Sequence, residues 1–253
     1  MLDVFFVTPR KEQMRTPNQS DLSNHGVVGL TLADEDYPVL LRTMPKPPRR
    51  LYARGDLGLL SKPAVAIVGS RCCSASARTM AYNLARDIAS CGWCVVSGLA
   101  RGVDTAAHQG ALASGVQGST VAVFGTGIDV VYPVQNTKLA HAIVDAGGLW
   151  LTAFSPGTRP LPAHFPQRNR IVAGLARATI VVQAKRASGS MITARMAADM
   201  GREVLAVPGR ATDPLAAGTH DLIRQGAGLL ESADDLWAAF GLYHLQSNRN
   251  TKK

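Results

Sequence analysis

Phe165-Pro166-Gln167-Arg168-Asn169-Arg170 gathers an aromatic ring, two amides and two guanidinium groups within six residues. That set suits a polyanion carrying flat bases. Arg168 and Arg170 can hold successive phosphates, Asn169 can hydrogen-bond a base edge or cap a following helix, and Phe165 offers a stacking face. The competing reading puts Phe165 in the core and leaves the arginines as solvated residues at a helix start. Cations there oppose the helix dipole and need a reason, so the binding reading is preferred. Three further segments, Gly69-Ser70-Arg71, Ser97-Gly98-Leu99-Ala100-Arg101-Gly102 and Ser188-Gly189-Ser190, combine glycines with hydroxyl or cationic side chains. Glycine lets backbone N–H groups approach an anion, and a helix starting just beyond adds the positive end of its dipole. The same glycines also serve as strand-to-helix turns, and Ser188 or Ser190 as an N-cap.

Other chemistries are less well served. Gly125-Thr126-Gly127 lacks the third glycine of the dinucleotide fingerprint, and no Gly-Lys-Ser/Thr phosphate loop is present, so no cofactor is expected. Asp104 and His108 stand four apart, which invites a catalytic dyad or a metal pair. One Asp and one His do not make a metal site, and a structural polar pair is the preferred reading. Cys91-Gly92-Trp93-Cys94 has redox-motif spacing, but Cys91 ends a helical pattern and Cys94 lies in an apolar run, the reverse of a reactive placement. Neither a catalytic nor a metal role is expected anywhere in the chain.

These loops need elements to hold them. Short apolar runs at Ala64 to Val68, Trp93 to Val96, Ser119 to Phe124, Leu149 to Thr152, Ala178 to Val182 and Glu203 to Val207 read as strands. Helical patterns at Ala75 to Ser90, Val103 to Ala113, Asn136 to Ala146, Asn169 to Ala176 and Met191 to Met200 fall between them, and one more at Ala233 to Phe240 closes the series. The alternation predicts an α/β fold, an extended Rossmann-like, doubly wound, mostly parallel sheet with helices on both faces. In such sheets the loops beyond the carboxyl ends of the strands bind ligands, and these are the glycine-rich segments above. Residues 1–29 read as a poorly ordered lead-in, 30–62 as a Pro-punctuated strap or small subdomain, 63–241 as the main domain and 242–253 as a basic tail.

With 253 residues, 46% of them apolar and 18% charged, the chain can bury one sizeable core, which excludes wholesale disorder. Lys plus Arg exceed Asp plus Glu by 27 to 18, a net charge of +9 that favours a polyanionic partner. The surplus is uneven: Lys138 to Arg195 carries eight basic side chains against the single acid Asp145. No apolar run reaches membrane-span length and the N-terminus lacks a secretory pattern, so a cytoplasmic address and no membrane partner are expected.

Val68-Gly-Ser-Arg71, Ser97-Gly-Leu-Ala-Arg-Gly-Val-Asp104 with His108, Gly125-Thr-Gly-Ile-Asp129 followed by Tyr132-Pro133, Phe165-Pro-Gln-Arg-Asn-Arg170, Ser188-Gly-Ser190 with Thr193, and Val207-Pro-Gly209 follow one another in a characteristic order. In this the chain resembles the DNA-processing protein DprA (Smf) family, over about residues 35–232, including Tyr37-Pro38 and Leu51-Tyr-Ala-Arg-Gly55. The resemblance implies a non-enzymatic Rossmann domain that binds single-stranded DNA with little sequence preference, forms a homodimer and helps load the RecA recombinase during natural transformation. It places a phosphate on Gly69, Ser70 and Arg71, a basic contact at Arg101, and the strand against Phe165, Arg168 and Arg170. Departures stand at Ala153 and Gln183, where relatives commonly have Glu, and at His220, where they commonly have Asn. The flanking helical and winged-helix domains of many relatives are not expected in these 253 residues. The alternatives are a nucleotide-binding sensor or nucleotide hydrolase, whose Pro-Gly-Gly-x-Gly-Thr motif is not matched at Pro208-Gly209-Arg210-Ala211, and a mobile-element paralogue that binds DNA without loading recombinase.

Overall fold

A computed structural model describes residues 26–245. The apolar runs form a nine-stranded sheet, β1 (Val27–Thr31), β2 (Arg50–Gly55), β3 (Ala64–Val68), β4 (Cys94–Ser97), β5 (Thr120–Val123), β6 (Leu149–Thr152), β7 (Ala178–Val181), β8 (Glu203–Ala206) and β9 (Gly228–Leu229), in the order β1-β2-β6-β5-β4-β3-β7-β8-β9. The seven strands from β6 to β9 in that order are parallel, while β2 is antiparallel to both β1 and β6. The helices are α1 (Val39–Arg42), α2 (Ala75–Ser90), α3 (Val103–Leu112), α4 (Thr137–Asp145), α5 (His164–Leu175), α6 (Gly189–Asp199), α7 (Ala217–Arg224) and α8 (Ala233–Ala239).

Period-two alternation splits the core. In β3, Ala64, Ala66 and Val68 join the cluster under α5 and α6, whereas Val65 and Ile67 join the one under α2, α3 and α8. Both faces of the sheet are thus covered, as a parallel sheet requires. Alanines let α2 and α3 pack closely: Ala81, Ala85, Ala107 and Ala111 are fully buried, and a Cβ on Gly110 would overlap the Tyr82 carbonyl. Ser74 caps α2 by accepting from the Ala77 N–H at 3.1 Å, and Ser232 caps α8 within a capping box.

The expected α/β class and doubly wound sheet are present. Chain order runs outward from β3 through β4 and β5 to β6, then returns to β7 on the other side of β3. The connections leaving β3 and β7 therefore diverge and open a crevice at their carboxyl ends.

Several elements differ from expectation. Leu30 to Lys62, expected as a strap or small subdomain, contributes β2 and the end of β1 to the same sheet. Helix α7 and the two-residue β9 carry no sequence pattern that predicted them. Helix α5 begins at His164 rather than Asn169 because Pro166 falls in its first turn, where a missing N–H breaks no helical bond. The expected lead-in lies largely outside the described residues, apart from Gly26 to Gly29, and so does all of the tail beyond Leu245.

Candidate nucleic-acid interface

The early start of α5 decides how the basic cluster is displayed. Residues two apart on a helix point about 200° apart, so Arg168 and Arg170 cannot line one track. Arg168 turns inward and is 4% exposed. Its Nη1 donates to the carbonyls of Gly98 and of Val123 (3.0 Å), and its Nε donates to Asn169 Oδ1 at 3.1 Å. These bonds commit its Nε and Nη1 to the scaffold, while Arg168 also borders both cavities described below. Its donors tie α5 to the ends of β4 and β5. Arg170 is half-buried and lines neither of the two cavities described below. Asn169 sits inside the helix and does not cap it; Nδ2 reaches the Gly189 carbonyl at 3.2 Å.

The loop after β4 is held from every side. Asp104, 6% exposed, accepts from the N–H groups of Gly98 (3.2 Å) and Ala100 (3.3 Å). Asn136 Nδ2 donates to the Leu99 carbonyl at 2.8 Å and to Thr105 Oγ1 at 2.9 Å, and Thr105 Oγ1 donates to the Ala100 carbonyl at 2.7 Å. One residue, Gly98, thus gives its N–H to a buried carboxylate and its carbonyl to a buried guanidinium. A side chain there would occupy the space of the Arg168 guanidinium, which is why glycine is required. Burial raises the Asp104 carboxyl above the ordinary range, against the opposing pull of Arg168 and the two N–H groups. Ser97 is fully buried and donates to the Ile67 carbonyl at 2.7 Å. Of the two residues expected as contacts to nucleic acid here, Ser97 is an internal support, whereas Gly98 supports the loop and also lines the first cavity described below. Leu99 adopts φ +56° and Gly102 φ +79°, so the backbone turns sharply to leave Arg101 exposed.

Against this rigid floor stand the free groups. Gly69 and Ser70 lie in a tight approach to α3: a Cβ on Gly69 would press on Val103, and the Ser70 N–H donates to the Gln183 carbonyl at 2.7 Å. Arg71, which follows, is exposed and places its Cζ 5.3 Å from the centre of the Phe165 ring, within cation–π range. Tyr132, 43% exposed, packs its ring 5.7 Å from the same Phe165. Tyr132 was not among the sequence candidates; its signal was an aromatic three residues beyond Asp129 in the loop after β5.

Two cavities meet at Arg71. The first, about 350 Å³, lies between the loop after β4, Tyr132 to Gln135, and Phe165, with Arg101 at its edge. The second, about 230 Å³, occupies the switch-point crevice and is bordered by Gly69, Ser70, Lys185 and Ser188 to Ser190 at the start of α6. The Ser188 and Ser190 hydroxyls lie 3.1 Å apart, Ser190 is buried, and Ser188 stands at the N-cap position without capping through its side chain. One cavity is thus walled by rings and the other by hydroxyls, glycine backbone and a helix N-terminus. Asp104 is the only carboxylate among the described residues lining either, and it faces backbone N–H groups.

The remaining sequence candidates have structural explanations. His108 is fully buried, with Nδ1 2.8 Å from Thr120 Oγ1, and burial pushes its pKa down to about 3. It makes no hydrogen bond with Asp104, so the two form no dyad. Cys94 is buried with its thiol pushed up to about 12, and burial raises Cys91 as well. Gln183 Oε1 accepts from the Ser74 N–H at 2.9 Å while Nε2 donates to Asp213 Oδ2 at 3.1 Å. An amide is suited to both partners at once. His220 Nε2 meets the Gly209 peptide, 3.0 Å from its carbonyl.

Fold and site together define a class: a doubly wound α/β protein whose switch-point rim offers an anion cradle beside a cation-flanked aromatic wall. The family model for DNA recombination-mediator protein A matches residues 29–241, and the chain belongs to that family. It is 44% identical over 210 residues to the DNA processing protein DprA of Streptococcus pneumoniae, covering 83% of this chain and 73% of the relative. The corresponding Bacillus subtilis protein is 40% identical over 84% of this chain and 71% of its own length. Among solved structures, the S. pneumoniae protein superposes with TM-score 0.80 at 42% identity, covering 88% and 78% of the two chains. DNA processing protein A of Helicobacter pylori, solved for its single-stranded DNA binding mode, gives TM-score 0.75 at 30% identity, covering 85% and 95%. Among the described residues, no helix is long and apolar enough to cross a membrane.

Proposed function

We propose that this chain binds single-stranded DNA at the switch-point rim, with little sequence preference, and delivers it as a homodimer to a RecA-type recombinase in the cytoplasm. The observation that carries the binding reading is the Arg71 guanidinium over Phe165 at the mouth shared by the two cavities. The hydroxyls of Ser70 and Ser188 and the backbone N–H groups at the start of α6, beside Gly69, receive a phosphate in the crevice. A neighbouring unstacked base lies on Phe165 and Tyr132, with Arg71 and Arg101 neutralising the adjacent phosphates. A duplex keeps its bases stacked inside and cannot use the aromatic wall. Binding needs no catalysis: the one carboxylate among the described residues at the cavities, Asp104, is engaged by backbone N–H groups. The similarity to proteins named for DNA processing, one of them studied as a single-strand binder, supports this reading.

The test is an electrophoretic shift with single- and double-stranded oligonucleotides of one sequence, using wild-type protein and Phe165→Ala. Loss of one stacked base weakens single-strand binding by about 1–3 kcal/mol. Equal affinity for both forms, or an unchanged Phe165→Ala, contradicts the proposal. Loading is tested separately, by filament formation of the recombinase on strands coated with single-strand binding protein.

A further inference from the structure

The crevice is one stretch of a longer rim. Because β2 runs antiparallel to β6, pairing Tyr52 with Thr152, the start of β2 at Arg50 lies at the carboxyl ends of the parallel strands, on the crevice side of the sheet. Reading outward from β3, that rim carries Arg71, then Arg101 after β4, then Phe165 against Gly125 after β5. After β6 come Phe154, stacked on His164 with centroids 4.3 Å apart, and the exposed Arg159. The series ends with Arg49 and Arg50 at β2. Both are exposed, and neither side chain makes a hydrogen bond or ion pair with a described residue.

The opposite direction is less inviting to an anion. Beyond β7, Arg186 is engaged by Asp221 at 2.6 Å, and Asp213 lies beside Gln183. On the favoured side, the exposed Asp129 is bonded to the Gly157 N–H at 2.8 Å. Asp34, Glu35 and Asp36 follow β1, one strand beyond β2, and place negative charge where the basic series stops.

We infer that a single strand bound in the crevice continues across β6, its bases over the Phe154–His164 pair, and sets its outer phosphates on Arg49 and Arg50. This rests on the single-strand reading of the crevice and adds to it a direction and a length. With strands about 4.8 Å apart, four intervals from β3 to β2 span about 19 Å, room for several extended nucleotides.

The experiment is fluorescence anisotropy with labelled oligothymidylates of about 4 and about 16 nucleotides, across salt, on the full chain. Its proteins are wild type, the double variant Arg49→Ala with Arg50→Ala, and Arg71→Ala. The double variant is expected to bind the short strand as wild type does. Its affinity for the long strand falls about tenfold, with a salt slope shallower by about 1.4, the share of two phosphates. Wild-type affinity and slope on the long strand overturn the extended track. So does equal weakening on both lengths, since it places the arginines elsewhere on the strand. Circular dichroism of the double variant guards against misfolding. Arg71→Ala separates the two readings: it weakens both lengths if the crevice binds DNA, and if it weakens neither, the crevice reading itself fails.

Discussion

Replacing Arg168 with leucine tests whether that arginine supports the rim instead of contacting the strand. The change strips donors from the Gly98 and Val123 carbonyls, both buried at the ends of central strands, and leaves Asp104 without the stronger of its two opposing cations, Arg71 being the other. Each stranded acceptor costs about 1–3 kcal/mol, and breaking one side of a buried charge arrangement costs about 3–5 kcal/mol. These contributions overlap, because Asp104 can take up a proton once the cation is gone. The expected loss is about 3–5 kcal/mol near neutral pH. The sign with pH follows from Asp104, whose folded-state pKa is already above its unfolded value through burial and rises further without Arg168. A raised carboxylate contributes most at low pH and loses that contribution as pH climbs from the unfolded value through the folded one. The deficit of Arg168→Leu should therefore shrink as the pH falls toward about 5. Urea unfolding followed by tryptophan fluorescence suits the measurement, since Trp93, Trp150 and Trp237 are all buried. A loss below about 1 kcal/mol at neutral pH, or a deficit that grows on acidification, refutes the supporting role.

Other substitutions probe the scaffold more locally. Gly102→Ala forces a side chain into φ +79° and onto the Ser70 carbonyl, and should cost at least about 3 kcal/mol in the same unfolding assay. His108 stays neutral when folded, with a pKa pushed down to about 3 against an ordinary value near 6.5. Stability should fall as pH drops through that window, by up to about 1.4 kcal/mol per pH unit, and His108→Gln should flatten the slope. Gln183→Glu removes the donor to Asp213 and sets two carboxylates together, so a loss of about 1–2 kcal/mol is expected at neutral pH. The pair's raised pKa makes that loss recede on acidification, which urea midpoints at two pH values would show.

Much of this scaffold was readable because burial and sequence agree. Ala64–Val68 is apolar throughout and fills both faces of the sheet, and Ala75–Ser90 carries its own cap in Ser74, so both elements follow from local pattern. Strands β1 and β2 were not readable in the same way. Their register depends on β6, about a hundred residues later, and the intervening prolines mask any period. At the site, Arg71 and Phe165 were legible as a cation and a ring, while their approach was not, since separate elements bring them together. Arg168 illustrates the limit best. Nothing local marks it as buried; the carbonyls that receive it lie 70 and 45 residues away. Ser97 reads as a polar loop residue, but its hydroxyl satisfies the end of β3 instead.

The proposed single-strand site joins an exposed cation, Arg71, to a ring, Phe165, at the switch point. Its most direct test is the salt dependence of single-strand affinity for wild type against Arg71→Ala, measured by fluorescence anisotropy on a thymidylate oligonucleotide. Arg71→Ala is expected to bind more weakly at low salt, with a log–log slope shallower by about 0.7, one phosphate's share on a single strand. An Arg71→Ala protein with wild-type affinity and wild-type slope would contradict it.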